Sequence, residues 1–292
     1  MTVTAPAAPA TRRGAGNGAL LAIVLTGQFM AILDVTVVNV ALSTLRADLR
    51  ASGAGLQLIV GGYTIAYAVL LVTGARLGDL AGHRRMFMTG LGLFTASSLA
   101  CGLATSAAML VGFRLAQGAG AALMVPQVLS LIQRSFDGTG RARALSIYAT
   151  VIAGGAVAGQ ILGGVLISAD LANSGWRAIF LVNVPIVVAG AAGALRFLPA
   201  DDARGSRRVD LAGVATLSAS LLLLVLPLIL GRAEGWPIWA WVCLAASVPA
   251  FGAFLTTQRR EAARGGNPLI NLHVVARPAI FWGLCGGLDN GH

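Results

Sequence analysis

The 292-residue chain contains no lysine at all, and charged residues make up only 11% of it. Soluble domains carry roughly a quarter of their residues as charges, so a water-facing globule is excluded. Cysteine and histidine are equally sparse. Cys101, Cys243 and Cys285 fall singly inside apolar stretches with no CxxC or Cys/His spacing, which excludes a zinc site and a disulfide framework. They read as small buried hydrophobes. His83, His273 and His292 are too scattered to gather a metal ion, so neither a metal nor a cofactor is expected. No apolar stretch holds a Ser/His or His/Glu constellation, and enzymatic chemistry is not expected either.

What the chain has instead is hydrocarbon: 57% hydrophobic residues and a mean hydropathy of +0.80. A helix of about 20 apolar residues crosses a hydrocarbon core of roughly 30 Å. Runs of that kind lie at about 19–41, 55–77, 86–105, 108–133, 144–168, 177–198, 211–230 and 238–256, which predicts eight spans. A ninth run begins near Pro278 and stops after about ten residues, so the sequence reads as the front part of a longer architecture. The first run is too long for a secretory signal and carries Asp34.

The net charge of +10 would suggest nucleic acid on a soluble protein. Sorting the arginines over the spans removes that reading. With the N-terminus inside, sixteen fall in cytoplasmic segments, and only Arg46, Arg50, Arg177 and Arg232 fall outside. That bias orients the chain with a cytoplasmic N-terminus in the bilayer. The expected organisation is a disordered tail at 1–18, a six-helix bundle at 19–198 and a cytoplasmic linker at 199–210. A helix pair at 211–256, a cytoplasmic loop at 257–277 and a truncated start of a second bundle at 278–292 follow.

Two charges stand inside spans, where each costs a few kcal/mol or more and marks a functional site by default. Asp34 lies about sixteen residues into the outward-running first span, roughly 10 Å from its outer end at 1.5 Å per residue. Arg114 lies about six residues into the inward-running fourth, roughly 9 Å from the same end. Equal depth lets the two pair if these spans face one another. Asp34 then takes and releases a proton, burial favouring the neutral carboxyl and a nearby cation the charged one. The alternative is a permanent ion pair that only fixes packing. Gln117 and Gly118 share the Arg114 face. In the fifth span Gly155, Gly159 and Gly163 repeat at i+4, beside Gly154 and Gly164, a spacing that lets another backbone approach closely. The stretch 75–85 between spans two and three reads as a short loop in which Asp79 partners a cytoplasmic arginine or a helix N-terminus.

Together these residues resemble the major facilitator superfamily, most closely its fourteen-helix drug:proton antiporters, over nearly the whole chain. Residues 33–42 (LDVTVVNVAL) resemble the first-helix signature of those antiporters, and Asp79, Gly82, Arg84 and Arg85 resemble the cytoplasmic loop motif. Arg114, Gln117, Gly118 and Gly120 match the fourth-helix motif, Gly155, Gly159, Gly163 and Gly164 the fifth-helix antiporter motif, and 176–185 (WRAIFLVNVP) the start of the sixth helix. Ala75, Leu80 and Gln160 depart from the pattern, Gln160 replacing a proline that would kink the fifth helix.

The resemblance implies an all-α integral membrane protein with a six-helix N-terminal bundle, two further helices and a truncated ninth. It implies alternating access and proton-coupled efflux of drugs or antibiotics across the cytoplasmic membrane. Asp34 would be the proton or cation site, Arg114 its partner, and Asp79 with Arg84 and Arg85 a cytoplasmic latch. The substrate would be a small lipophilic molecule, cations among the candidates, lodged against Met30, Tyr63, Tyr67, Met124 and Gln127. Protons and the lipid bilayer are the other partners, and no nucleic acid is expected. An exporter of one endogenous metabolite and a truncated membrane protein without transport activity remain as alternatives.

Overall fold

The computed structural model describes residues 11–169, 174–201, 210–232 and 234–263, and every regular element among them is helical. In order they are α1 (Thr11–Val40), α2 (Leu42–Leu49), α3 (Gly53–Ala81), α4 (His83–Gly102), α5 (Ala107–Ser135) and α6 (Gly138–Ala169). A 3₁₀ turn (Gly175–Arg177), α7 (Ala178–Leu181), α8 (Asn183–Phe197), α9 (Leu211–Leu230) and α10 (Ile238–Ala263) follow. Local signals set several starts. Ser52 accepts a hydrogen bond from the Gly55 N–H, Ser106 from Met109 and Asp210 from Gly213, each satisfying a donor that a helix N-terminus leaves open.

Seven segments of the described residues are long and apolar enough to cross a membrane: Gly16–Val40, Gly53–Ala81, Ala107–Ser135, Gly138–Ala169, Gly175–Phe197, Ala212–Leu230 and Ile238–Ala263. The expected third span differs. Helix α4 is present over 20 residues, but it opens on His83, Arg84 and Arg85 and carries Ser97 and Ser98, so it lacks the apolarity of the others. Both serines are buried, turned away from the surface that lipid reaches.

The boundaries move in four places. Helix α1 begins at Thr11, so 11–18 is helical rather than disordered. The expected loop at 75–85 is helix apart from one residue, Gly82, whose φ of +104° is a conformation open to glycine and strained for other residues. The sixth span is interrupted at Val182. Pro185 explains the break, since it has no N–H to offer the Leu181 carbonyl four residues back. Helix α6 runs unbroken past Gln160, as expected where the kinking proline is absent. Helix α10 continues to Ala263, into the expected loop, and the truncated ninth helix at 278–292 lies outside the described residues, as does most of the linker at 199–210.

Two compact units divide the chain, Met1–Arg204 and Gly205–His292. In the first, α3, α4 and α5 pack closely on one another, while α1 packs against α6 and α8 and also touches α5. In the second, α9 packs along α10. Val157, Ile161 and Val165 on α6, Val188 and Leu195 on α8, and Trp241, Val242 and Val248 on α10 are exposed. Water would penalise such an outer surface and lipid does not.

The glycine repeat on α6 faces α1. A methyl group at Gly159 would collide with Thr36 and approach the Leu33 carbonyl, one at Gly163 would press on Val37, and one at Gly155 would touch Ile32. Gly154 and Gly164 point into open space, so the close approach rests on three glycines of the five.

Candidate functional site

Asp34 and Arg114 meet in the middle of the first unit, both fully buried. Arg114 Nη1 donates to Asp34 Oδ2, forming the ion pair that equal depth predicted. Gln117 Nε2 donates to Asp34 Oδ1 at 2.8 Å, and Asn183 Nδ2 donates to the same oxygen at 3.2 Å and to Ser98 Oγ at 3.0 Å. Both carboxylate oxygens are therefore held by donors, from α5 and from the first residue of α8. The break before α8 places Asn183 here, because the chain restarts its helix at that residue.

The guanidinium is equally well held. Its Nε donates to the Ile59 carbonyl at 3.1 Å and Nη1 to Gln117 Oε1 at 2.8 Å. Its carbon lies 4.7 Å from the centre of the Tyr63 ring and 5.8 Å from that of Phe180, within cation–π range. Tyr63 is fixed in turn by donating from its hydroxyl to the Ala31 carbonyl at 3.1 Å. Gly118 lets α3 come close, since a methyl group there would run into the Tyr63 backbone. Chemically, a proton on Asp34 removes the charge that holds Arg114 in this cluster and leaves the arginine its neutral acceptors.

Beside the ion pair lies a cavity of about 290 Å³ between α1 and α3, lined by Gln28, Ala31, Ile32, Val35, Thr36, Tyr63, Thr64, Tyr67 and Val125. Tyr63 and Tyr67, expected in the wall, are there, with rings 9° from parallel and centroids 6.3 Å apart. Met30, Met124 and Gln127 are not among its lining residues. Met30 and Met124 are buried in the hydrophobic core of the unit. Gln127 belongs to another cluster: Nε2 donates to the Gly74 carbonyl at 2.8 Å, and Oε1 lies 2.8 Å from His83 Nδ1. Because Nε2 is the donating end, Gln127 Oε1 accepts and Nδ1 carries the proton.

At that end the loop-motif residues gather around the α3–α4 turn. Asp79 sits on the last turn of α3, 3.7 Å from Arg76 Nη1 and 3.7 Å from His83 Nε2. The N–H groups of Arg84 and Arg85 donate to Asp201 at 2.9 and 3.0 Å, and Arg84 Nη2 donates to the Leu195 carbonyl at 2.7 Å. The carboxylate at the start of α4 is thus Asp201 rather than Asp79, and Gly82 leaves room for it. At the opposite end, Trp176 Nε1 and Arg177 Nη1 donate to Asp48 Oδ2 at 2.8 and 2.9 Å. These two bonds hold the Asp48 carboxyl below its ordinary 3.8.

The sequence profile of the Major Facilitator Superfamily matches residues 24–287. The chain belongs to this superfamily. It is 42% identical over 266 residues to the probable actinorhodin transporter of Streptomyces coelicolor, covering 91% of this facilitator and 46% of that protein. It is 39% identical over 289 residues to the cephamycin export protein of Amycolatopsis lactamdurans, covering 97% and 58%. With the tetracenomycin C resistance and export protein of Streptomyces glaucescens the identity is 37% over 250 residues, covering 85% and 46%. The chain spans about half the length of these curated relatives. Its fold resembles the crystal structure of a bacterial homolog to the human lysosomal transporter Spinster, inward-facing and occupied, with a TM-score of 0.54. That match is 23% identical and covers 85% of this chain and 61% of the other.

Family membership and the seven apolar segments make this facilitator a multi-pass membrane protein. Residue-by-residue reading missed Ser98 and Asn183 in its centre, and Gln28 in the cavity wall. Neutral polar residues inside a span carry no charge to flag them. Asn183 had one usable signal, its place two residues before Pro185, where a span's helix restarts.

Proposed function

We propose that this chain is the N-terminal portion of a proton-coupled exporter of antibiotics or other small lipophilic molecules, seated in the cytoplasmic membrane with its N-terminus inside. The observation that carries the reading is the buried Asp34–Arg114 pair, whose carboxylate is the one acidic group in the bundle centre among the described residues. Protonation of Asp34 and release of Arg114 are the two ends of the cycle, coupled to rocking of this bundle against a second one. Gly155, Gly159 and Gly163 form the contact along which α6 bears on α1 in that motion. Asp79, Arg84 and Arg85 latch the cytoplasmic end. The named activities of the actinorhodin, cephamycin and tetracenomycin relatives support an antibiotic as the cargo, and the arginine asymmetry supports the orientation.

The test is efflux in inverted membrane vesicles under an imposed pH gradient, comparing this chain, a version extended beyond His292, and Asp34→Asn in each. Gradient-driven efflux by the extended protein that Asp34→Asn uncouples supports the reading. Efflux that survives Asp34→Asn with its pH dependence intact, or no efflux from the extended protein, refutes it.

A further inference from the structure

Among the described residues, the cavity between α1 and α3 is lined by no charged side chain, yet one of its walls holds a buried polar atom with nothing to bond. Gln28 is 5% exposed, and its Oε1 has no hydrogen-bond partner among those residues. Leaving such a group unpaired costs about 1–3 kcal/mol, and it is the kind of group that a ligand satisfies. An amide offers an acceptor and a donor within one plane, and which end faces a ligand is set by what the ligand presents. Two other polar groups of the wall are occupied: the Tyr63 hydroxyl donates to Ala31, and Thr36 Oγ1 donates back to the Leu33 carbonyl at 3.0 Å.

The remaining lining is mostly apolar, the Thr64 and Tyr67 hydroxyls apart. The near-parallel Tyr63 and Tyr67 rings form one side, and Ala31, Ile32, Val35 and Val125 form the apolar part of the rest. Such a wall favours a planar hydrocarbon frame. A cation gains little here. Asp34 is not among the lining residues, and donors occupy both its oxygens. The Tyr63 ring, whose face would attract a positive charge, already carries the Arg114 guanidinium.

We infer that this cavity selects a neutral, planar aromatic molecule bearing hydroxyl or carbonyl groups, with Gln28 as the residue that reads those groups. The assignment rests on the transport reading above and narrows its substrate class, turning it away from lipophilic cations.

The experiment uses the full chain in lipid nanodiscs, with empty nanodiscs as the blank, and three probes built on a fused three-ring frame. These are 2,6-dihydroxyanthraquinone (neutral form, hydroxyls free of the ring carbonyls), anthracene (neutral, no polar group) and ethidium (planar cation). Saturable binding of dihydroxyanthraquinone about two- to twelvefold tighter than anthracene is expected from one neutral hydrogen bond of about 0.5–1.5 kcal/mol, with no saturable binding of ethidium. Gln28→Leu removes that preference while leaving anthracene unchanged. Gln28→Glu, which keeps the shape and adds a charge, admits ethidium, and it decides the matter if the leucine variant does not fold.

Ethidium binding as tightly as dihydroxyanthraquinone to the unaltered protein overturns the assignment. So does a preference unchanged in a folded Gln28→Leu, or a folded Gln28→Glu that still rejects ethidium. The two readings fail separately. If the preference follows Gln28 but no probe moves with a pH gradient in the extended protein, the export reading falls and the cavity assignment stands. If efflux is coupled through Asp34 but the preference ignores Gln28, the reverse holds.

Discussion

Replacing Asp34 by asparagine changes a single charge and almost no volume, at a position where both members of the pair are fully buried. The substituted amide still accepts from Gln117 or Asn183 through its oxygen, but its NH₂ then faces Arg114 donor to donor. Arg114 keeps the Ile59 carbonyl, Gln117 Oε1 and the Tyr63 face. Removing one partner of a buried ion pair costs about 3–5 kcal/mol, and these surviving acceptors place the loss at the lower end, about 3 kcal/mol. That is roughly a hundredfold in the unfolding equilibrium. The double variant Asp34→Asn/Arg114→Gln removes the orphaned charge as well, and replacing both members of a buried pair is far less damaging. Its loss should therefore fall well below the sum of the two single losses, by at least about 1 kcal/mol. Equilibrium unfolding in mixed micelles, followed by helicity across all four proteins, measures this. A single variant as stable as the parent, or losses additive within about 0.5 kcal/mol, refutes the claim that the pair is the buried electrostatic centre of the bundle.

Three further outcomes are expected. Gly159→Val forces a branched side chain against Thr36 and the Leu33 carbonyl and should cost about 1–3 kcal/mol, whereas Gly164→Ala, which meets open space, should stay within about 0.5 kcal/mol; thermal unfolding of the two separates them. Asp201→Ala uncaps α4 and should cost about 1 kcal/mol, with faster hydrogen exchange confined to the Arg84 and Arg85 amides and their turn. Asp48 is held below its ordinary 3.8 by Trp176 and Arg177, so its contribution to stability is full above that value and is lost as pH falls through the lower folded value. A titration of Trp176 fluorescence should find its midpoint below 3.8, and Asp48→Asn should abolish the step.

The central pair was legible because a charge inside an apolar run is rare enough to be noticed and helix rise converts its position into depth. Asp34 and Arg114 came out at matching depths, and they meet. The glycine spacing on the fifth span was legible for a similar reason, although the sequence does not say that the partner would be α1 or that Gly164 would turn away. Other parts were hidden. Met30 and Met124 look like wall residues because they share helices with the pair, but position on a helix face depends on neighbours that no single span specifies. Asp79 meets an arginine, Arg76, as its loop suggests, but the carboxylate at the start of α4 is Asp201, and a contact between positions 84 and 201 has no local signature. Helix α4 has the length of an ordinary span, but its serines are tolerable only where other helices cover them, and that cover is invisible in a single segment.

The donors around Asp34 come from far along the chain: Arg114 and Gln117 lie 80 and 83 positions later, and Asn183 lies 149 later. Synthesis runs from the N-terminus, so α1 reaches the bilayer long before any of them. Its carboxyl has none of these partners until α5 arrives, and the second donor on Oδ1 is added only when α8 starts. The network around Asp34 is therefore closed only by the most distant of its partners, and the first helix depends for its buried polar contacts on residues made much later in the chain.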